Sequence, residues 1–416
     1  MRKIKVVFLT FYFEAWDALA ETHRIMSGDP RFEVTVVAVD RRLTGDEGYG
    51  GVADVSAFFD SHGIKHLVNA DLTALEPDYI FVNYPWQRNY APQYRPDKLA
   101  AIGRIVYVPY YSLPLVAEPV DGVHPESGFE AIGAHLYTQR MHQLASLVFV
   151  QDKFLKDAYG QLPRGNDHVH FVGSTKLDAL IEEVEEIAES GKLAVRALTT
   201  LVWAPHHSYS PHWLNFGVFA SVCHEVLDWA AAHPAVQVTL RPHPFLFGTL
   251  VDREVMAAAD LDDWLARWRA LPNTSIDSES SSAMIFAQAD ALLTDGISYL
   301  AEWPMAMGKP ALFIENPGHW MFSPLGELAE AAAVKVEGVG ELEGLLESTP
   351  SRAAEISALR DAAMPFAGEA AERIVAAVVA DFAGPDGKGS GSALIDPAAI
   401  TDLPWELQAG REPLRD

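Results

Sequence analysis

Arg241 and His243 have residue types and a spacing that suit phosphate chemistry. Both belong to the stretch RPHP, which directly follows the apolar run VQVTL. Such a run is typical of a buried strand, and ligands of open α/β sheets bind beyond the carboxyl ends of the strands. Arginine offers a planar set of donors that matches a phosphate, and histidine adds another donor. We therefore predict that both side chains contact an anionic ligand; the structural alternative is an arginine paired with a nearby acid.

A second group of candidates is the histidines of WAPHHSYSPHW, namely His206, His207 and His212. Adjacent histidines project in different directions, and the spacing to His212 matches no common zinc pattern, so we expect no metal ion here. A histidine with an ordinary pKa donates to a phosphate or moves a proton at neutral pH. His206 and His207 are thus candidate catalytic bases, and the alternative is that they are loop residues without a role.

The segment ADALLTDGISYLAEWPMAMGKPALFIE carries the most information. ALLTDG predicts a buried strand that breaks at Gly296, after which Ser298 is expected to cap a helix. The first amides of such a helix are available to a diphosphate. The helix is expected to end at Gly308. Glu302 suits the hydroxyls of a ribose, and its alternative is an ordinary acid in the first turns of the helix.

A further turn of small residues occurs in VGSTKLDAL, where Val172 is expected to end a strand. The backbone N–H groups around Gly173 and Ser174 could hold an anion, and Lys176 adds a full positive charge. A plain capped turn between a strand and a helix is the alternative.

Apolar runs that alternate with helical segments predict how the chain positions these residues. Five runs precede the helix KLDALIEEVEEIAESGK and six follow it, which predicts two Rossmann-like domains with parallel sheets. We place the first domain at 1–190, the second at 191–383, and a linker with a tail at 384–416. The helix GEAAERIVAAVVADFAG either closes the second domain or returns to the first, and the tail either docks as an extended strap or stays disordered.

Composition excludes several classes of function. The net charge is −26, with acids spread along the chain, so we expect no nucleic-acid partner and at most peripheral contact with an anionic membrane. The single cysteine, Cys223, lies in an apolar helical pattern and fits a core position in a reducing compartment. The opening stretch predicts a first strand rather than a signal peptide, and no apolar run has the length of a membrane span. A cytoplasmic protein is therefore expected, with the inner face of the membrane as its only membrane contact.

Three of these motifs, in this order, resemble those of the CDP-glycerol glycerophosphotransferases, which make teichoic-acid and capsule polymers. They are GSTKLDAL, RPHP and TDGISYLAEWPMAMGKP, and together they cover about Ser146 to Phe382. The resemblance implies a GT-B-like architecture of two Rossmann-like domains facing a central cleft, with the donor side formed mainly by the second domain.

The resemblance also implies roles for individual residues. Thr294, Asp295 and Ser298 would line a phosphate turn, and Arg241 and His243 would face the donor diphosphate. Ser174 and Lys176 would lie across the same cleft.

Two departures from the family's pattern concern the catalytic machinery. Gly296 and Ile297 stand where family members usually carry an aromatic residue and a serine. The family's Trp-His-Gly stretch, whose histidine is thought to be the base, has VPYYSLPL as its nearest counterpart. The choice of catalytic base therefore stays open among His206, His207, His243, Tyr110, Glu14 and His142.

The resemblance implies attack of an acceptor hydroxyl on the β-phosphorus of a CDP-activated polyol, with release of CMP and no cofactor. The resemblance also implies a polyol-phosphate or glycan as the acceptor. The aromatic-rich stretch from Val82 to Pro96 could stack on this acceptor, or its rings could pack on one another. Two rivals remain. One is a GT-B glycosyltransferase or epimerase that uses a UDP- or GDP-sugar, and the other is a protein that binds a nucleotide or a partner without catalysis.

Overall fold

The structure is a computed structural model that describes residues 2–42, 48–117, 137–191, 193, 198–210, 214–384 and 391–400. These residues form two compact units. The first unit holds the described residues of 1–114, 123–179 and 364–416, and the second holds those of 115–122 and 180–363.

The first unit contains a parallel sheet of seven strands in the order β5-β2-β1-β6-β7-β8-β9. Its strands are β1 Ile4–Thr10, β2 Phe32–Ala38, β5 His66–Val68, β6 Tyr79–Val82, β7 Arg104–Tyr107, β8 Ala145–Val150 and β9 Val169–Phe171. A separate short hairpin pairs β3, Arg41–Arg42, with β4, Tyr49–Gly50. The central strands are rich in valine, isoleucine and phenylalanine and are almost fully buried, as expected for a sheet covered on both faces.

Helices surround this first sheet. They are α1 Asp17–Gly28, α2 Val52–Ser61, α3 Leu72–Leu75, α4 Pro96–Ile102, α5 Arg140–Leu144, α6 Lys153–Tyr159, the beginning of α7 Thr175–Glu189, and α16 Ala370–Ala383.

The second unit contains a parallel sheet of six strands in the order β12-β11-β10-β13-β14-β15. Its strands are β10 Thr199–Ala204, β11 Val236–Leu240, β12 Thr274–Ile276, β13 Ala291–Thr294, β14 Leu312–Phe313 and β15 Val334–Lys335. Its helices are α8 Phe219–Ala232, α9 Leu246–Asp252, α10 Ala258–Ala270, α11 Ser282–Ala287, α12 Ile297–Met307, α13 Pro324–Ala331, α14 Leu342–Glu347 and α15 Ala353–Ala363.

The strand order of this second sheet has a consequence for ligand binding. From β10 the chain proceeds outward through β11 to β12, and it then returns to place β13 on the other side of β10. The order therefore reverses between β10 and β13. In open α/β sheets the crevice beyond the carboxyl ends of the strands at such a switch point is where ligands bind.

All eleven strands that the apolar runs predict are present, and so is the helix that separates the two series. The structure adds the short strands β3, β4, β5 and β9, which the runs alone did not delimit. Cys223 is buried in α8, as its apolar pattern predicted.

The helix α16 belongs to the first unit and packs on α1. Its Ile374, Val375, Val378 and Phe382 join the core of that unit. The units therefore differ from the predicted domain boundaries, because the chain returns to the first unit after α15. The described part of the tail also docks there: Arg104 donates to the carbonyl of Ser392 at 2.6 Å.

Among the described residues no helix is both long and apolar enough to cross a membrane.

The return of α16 predicts where a core mutation in it acts. Ile374 is fully buried, so Ile374→Ala should destabilise the protein by about 2–5 kcal/mol through lost burial and the cavity left behind. Glu372→Ala, on the exposed face of the same helix, should change stability by less than about 0.5 kcal/mol. Urea unfolding of both variants measures the difference. Equal stabilities would contradict the placement of α16 in a core.

Candidate functional site

Most of the predicted site residues lie at one edge of the second sheet. The strands β10 and β13 end side by side, with Ala204 paired to Thr294. His206 follows the end of β10, Arg241 follows β11, and Asp295 follows β13. The reversal of strand order thus brings together residues that are far apart in the sequence.

The carboxylate of Asp295 closes the loop that follows β10. Its Oδ1 accepts a hydrogen bond from the backbone N–H of His206 at 2.6 Å, and its Oδ2 accepts one from Val218 at 2.7 Å. Burial raises the pKa of Asp295 to about 7, while the hydrogen bonds from Val218 and His206 act in the opposite direction. The structure therefore gives Asp295 a positioning role, and its predicted contact with the donor stays a prediction.

The loop has a second closure, formed by Ser208. The Ser208 hydroxyl accepts from the backbone N–H of Phe216 at 2.9 Å, and the Ser208 carbonyl accepts from Gly217 at 2.8 Å. With Asp295 holding both ends, the two histidines at the beginning of the loop have a fixed backbone. His212 lies outside the described residues.

Thr294 and Gly296 complete the turn after β13. The Thr294 hydroxyl donates to the carbonyl of Ala204 at 2.9 Å and accepts from the N–H of Gly296 at 3.1 Å. A Cβ atom at Gly296 would lie 2.7 Å from the Cβ of His206. The position therefore requires glycine because the His206 loop approaches its backbone closely.

The helix α12 begins differently from the prediction. Gly296 is its N-cap and contributes no side-chain hydrogen bond, whereas Ser298 is exposed in the first turn and does not cap the helix. The first-turn N–H groups of a helix have no partner within the helix itself, so the beginning of α12 keeps the character of an anion site. As predicted, the helix ends at Gly308, which has a left-handed backbone.

His206, His207 and His243 form a cluster of imidazole rings. The rings of His207 and His243 stack with centroids 3.7 Å apart, and the His206 ring lies 4.6 Å from His207 and 5.2 Å from His243. Local spacing could not reveal this cluster, because His243 comes from the neighbouring strand. The useful signal was that both histidine-bearing stretches follow predicted strands that turn out to be adjacent.

Burial lowers the pKa values of all three histidines. The pKa of His243 falls to about 3 and that of His207 to about 4, while that of His206 falls well below its ordinary range. The rings are therefore neutral at pH 7. A neutral imidazole with so low a pKa is a weak general base, and its most effective role is as a hydrogen-bonding or metal-ligating group.

Backbone contacts influence which ring nitrogen carries the proton. The Nδ1 of His206 accepts the backbone N–H of Ser208 at 3.3 Å and lies 2.8 Å from the Ser208 hydroxyl, and the Nδ1 of His243 accepts the N–H of Phe245 at 3.2 Å. When Nδ1 accepts, the proton of a neutral ring sits on Nε2, which then donates.

The guanidinium of Arg241 is held by the end of the neighbouring strand. It donates to the carbonyl of Asp277 at 3.2 Å, to the carboxylate of Asp277 at 3.4 Å and to the carbonyl of Ser280 at 2.7 Å. The acid-paired alternative thus describes part of its bonding. Because an arginine has five N–H groups, two of them remain to be offered to a ligand.

Glu302 is 4% exposed and lies in α12. Its predicted contact with a ribose stays a prediction.

Ser174, Lys176 and Tyr110 lie in the first unit. The Ser174 hydroxyl accepts from the N–H of Leu177 at 3.2 Å, and Lys176 forms an ion pair with Asp17 at 3.1 Å. The turn is thus a capped connection between strand and helix, as the structural alternative describes, and the anion-binding role of these two residues stays a prediction.

Tyr110 is half-buried in an aromatic group at the carboxyl edge of the first sheet. Its ring centroid lies 5.6 Å from those of Tyr12, Tyr84 and Trp86. Burial raises the pKa of Tyr110 well above its ordinary value, so its hydroxyl keeps its proton at neutral pH.

The two remaining base candidates are in contrasting settings. Glu14 is exposed, with Arg41 at 3.4 Å, while His142 is fully buried beside Tyr107. Exposure leaves Glu14 accessible to a substrate, whereas burial removes His142 from one.

Comparison with known proteins finds similarity in structure but not in sequence. No model of a protein family matches the chain, and no curated protein does.

Several solved structures are similar over most of the chain. A putative UDP-N-acetylglucosamine 2-epimerase from Listeria monocytogenes matches with a TM-score of 0.57 at 17% identity, covering 91% of this chain and 96% of that one. The UDP-GlcNAc 2-epimerase from Neisseria meningitidis, solved with UDP-GlcNAc bound, gives 0.55 at 13% identity, with coverages of 91% and 99%. The wall teichoic acid polymerase TagF gives 0.51 at 10% identity, with coverages of 89% and 87%. At such identities the likeness concerns the fold, and it confirms the predicted GT-B-like α/β class.

The close approach at Gly296 predicts the effect of adding one methyl group. Gly296→Ala should displace the His206 loop and destabilise the protein by about 1–3 kcal/mol, the usual cost of overpacking. The matched control is Gly344→Ala in α14, where an added Cβ meets nothing within 4 Å. Thermal unfolding of both variants measures the effect, and equal melting temperatures would contradict the tight contact.

Asp295 predicts a pH dependence of stability. Because burial raises its pKa from 3.8 to about 7, the folded protein holds a proton there that the unfolded chain has released. This contribution to stability is complete below about pH 4 and is lost as the pH rises through 7. Asp295→Asn does not titrate, so its stability relative to the wild type should rise by a few kcal/mol over that range, at about 1.4 kcal/mol per unit of pKa shift.

Urea unfolding of the wild type and of Asp295→Asn between pH 4 and pH 8 measures this difference. A stability difference that stays constant with pH would contradict the prediction. It would mean that the two backbone N–H groups keep the carboxylate charged in the folded protein.

Proposed function

We propose that this chain is an enzyme that uses a nucleotide-activated donor, and that the donor diphosphate binds at the carboxyl edge of the second sheet. One observation carries the proposal: the cluster of three histidines and the beginning of α12 lie beyond the ends of β10 and β13, where the strand order reverses, and Arg241 follows the neighbouring strand β11. Each of these groups presents N–H donors suited to phosphate oxygens.

The local chemistry of this edge is suited to an anion in spite of the acidic chain. Arg241 provides a full positive charge, and its bonds to Asp277 and Ser280 fix its orientation before a ligand arrives. The neutral histidines add donors without mutual charge repulsion. Such preorganised donors stabilise charge that develops on a phosphate during transfer, because they need no reorganisation.

We propose transfer of glycerol phosphate or a related polyol phosphate from a CDP-linked donor to an acceptor hydroxyl. The acceptor oxygen forms a bond to the β-phosphorus while the bond from that phosphorus to the bridging oxygen breaks, and CMP leaves with the electron pair. The acceptor proton passes to a base. Binding and electrostatics provide most of the rate enhancement in such reactions.

The base remains a choice among the predicted candidates. The lowered pKa values of His206, His207 and His243 make them weak bases, and the raised pKa of Tyr110 disfavours its ionised form. We therefore assign the histidines first to contact with the phosphates. An accessible carboxylate such as Glu14 is the better match for proton removal.

The acceptor is proposed to bind the first unit, at its aromatic group. The rings of Tyr12, Tyr84, Trp86 and Tyr110 are half-exposed, and aromatic faces stack on the C–H faces of sugars and polyols. A polyol-phosphate or glycan acceptor fits this surface.

A second candidate function is a reaction of a nucleotide sugar. Two of the three similar structures described above are UDP-N-acetylglucosamine 2-epimerases, which favours this alternative. The buried Glu302 could bind a ribose in either case. The nucleobase of the activated donor, cytosine or uracil, therefore discriminates between the two candidate functions.

A thermal-shift panel tests the proposal. CMP, CDP, CDP-glycerol, UDP, UDP-GlcNAc and GDP are each added to the purified protein, since a ligand that binds only the folded state raises the melting temperature. We expect stabilisation by cytidine nucleotides. A larger shift with UDP compounds would select the sugar-nucleotide alternative. No shift in melting temperature with any of the nucleotides would favour a protein without catalysis.

Two arginine variants locate the donor. Arg241→Ala should weaken donor binding by roughly 10- to 100-fold, since hydrogen bonds to charged groups contribute about 1.5–3 kcal/mol. The matched control is Arg267→Ala, which removes an exposed arginine paired with Asp228 in the same unit. Calorimetric titration of each variant with the nucleotide selected by the panel gives the affinities. Unchanged affinity in Arg241→Ala would contradict the placement.

A further inference from the structure

The three histidines at the edge of the second sheet offer more than hydrogen bonds. One nitrogen of His206, one of His207 and one of His243 all lie within 4.8 Å of one another. We propose that these three imidazoles bind a divalent transition-metal ion, with Zn²⁺ as the best match. Imidazole nitrogen is a preferred ligand of zinc, and three protein ligands with one open position are typical of sites where zinc acts on a substrate.

The distances are compatible with this coordination after small side-chain movements. Zinc–nitrogen bonds of about 2.0–2.1 Å in a tetrahedral site place the nitrogens roughly 3.4 Å apart. The rings of His207 and His243 stack nearly parallel, with their planes 20° apart, so rotation of the side chains must open this stack before both nitrogens face one ion. The backbone at His206 stays fixed by its bond to Asp295. The site therefore needs no new fold, only closure of three rings on one ion.

The bonding around His206 suits a metal ligand. Its Nδ1 lies 2.8 Å from the hydroxyl of Ser208. That nitrogen also accepts the backbone N–H of Ser208 at 3.3 Å, a weak contact that a proton on Nδ1 removes. In that tautomer Nδ1 donates to the hydroxyl and leaves the lone pair of Nε2 for the metal. Histidine ligands in metal sites usually donate their second nitrogen to such a partner, which fixes the ring orientation.

His243 must give up one weak contact to become a ligand through Nε2. Its Nδ1 accepts the N–H of Phe245 at 3.2 Å, and a proton on that nitrogen removes the contact. The net contribution of one such hydrogen bond is small compared with that of a zinc–nitrogen bond. Metal binding therefore selects the other tautomer.

Two neighbouring charged groups among the described residues bear on the cluster, Arg253 and Asp295. Burial keeps all three rings neutral at pH 7, which is the form that ligates a metal, so binding needs no deprotonation. The positive charge of Arg253 lowers the pKa of His207 further, in the same direction as burial, while the Asp295 carboxylate bonds the His206 backbone. No carboxylate belongs to the ligand set, so a bound Zn²⁺ keeps its positive charge for a fourth ligand.

This proposal replaces the expectation of no metal, which came from spacing within one stretch of sequence. It rests on the histidine geometry and not on the proposed function. Only the identity of the fourth ligand rests on that function: there we place an oxygen of the donor diphosphate at the open position. A metal-bound oxygen then replaces the direct contact between imidazole and phosphate that the proposed function assigns to the histidines.

The test is titration of the chelator-treated protein with Co²⁺, followed by displacement with Zn²⁺, in the absence of any nucleotide. We expect one equivalent of Co²⁺ to produce the visible absorption bands of a four-coordinate cobalt site, and one equivalent of Zn²⁺ to abolish them. His207→Gln and His243→Gln should each weaken binding roughly 100-fold or more, because each removes one of three ligands. His224→Gln, which changes an exposed histidine of α8, is the matched control.

Circular dichroism and urea midpoints establish that the variants fold. Because two cluster variants are made, the test remains possible if one of them does not fold. Absence of the cobalt bands in the wild type, or equal metal affinity in the cluster variants and the control, would overturn the proposal. Binding of inorganic phosphate that requires these histidines but no metal would also overturn it and assign the cluster to direct anion binding. Since no donor is present, failure of the proposed function leaves this test valid.

Discussion

The candidate site depends on one buried carboxylate. Asp295 ends the strand that returns across the second sheet, and it accepts one backbone N–H from each end of the loop that follows β10. Loss of either N–H donor would leave a buried carboxylate oxygen without a hydrogen bond, which costs free energy. The interaction therefore fixes the loop on the sheet edge and sets the backbone of the first two histidines.

The neighbouring features follow from that constraint. Gly296 must lack a side chain because the His206 loop passes over it, and the helix α12 starts at once behind it. The end of β11 adds Arg241, which the end of β12 orients, and His243, which stacks on His207. A network of backbone bonds thus arranges three histidines whose pKa values burial lowers and whose ring nitrogens lie close together. Such a rigid arrangement suits binding of a charged group whose position must be exact to a fraction of an ångström.

The fold class could be predicted from the sequence because apolar strands that alternate with helices are compatible with only a few topologies. Sequence reasoning also located the strand ends that carry the site. It could not predict the roles of Asp295 and Thr294, since buried acceptors for backbone N–H groups look the same in sequence as ligands do. The cap at Ser298 was wrong because Gly296, pressed against His206, already occupies the N-cap. The histidine cluster was missed because it depends on β10 and β11 being neighbours. The sequence left both placements of α16 open, because a long-range return to the first unit has no local signal.

The measurement that tests the account most directly is hydrogen–deuterium exchange with and without CDP-glycerol. If the donor binds at the carboxyl edge of the second sheet, exchange should slow in peptides covering His206, His243 and the beginning of α12. Peptides of α10, which packs against β12 and α8, should not change. Protection confined to the first unit, or protection absent at a saturating concentration of a donor that raises the melting temperature, would contradict the account.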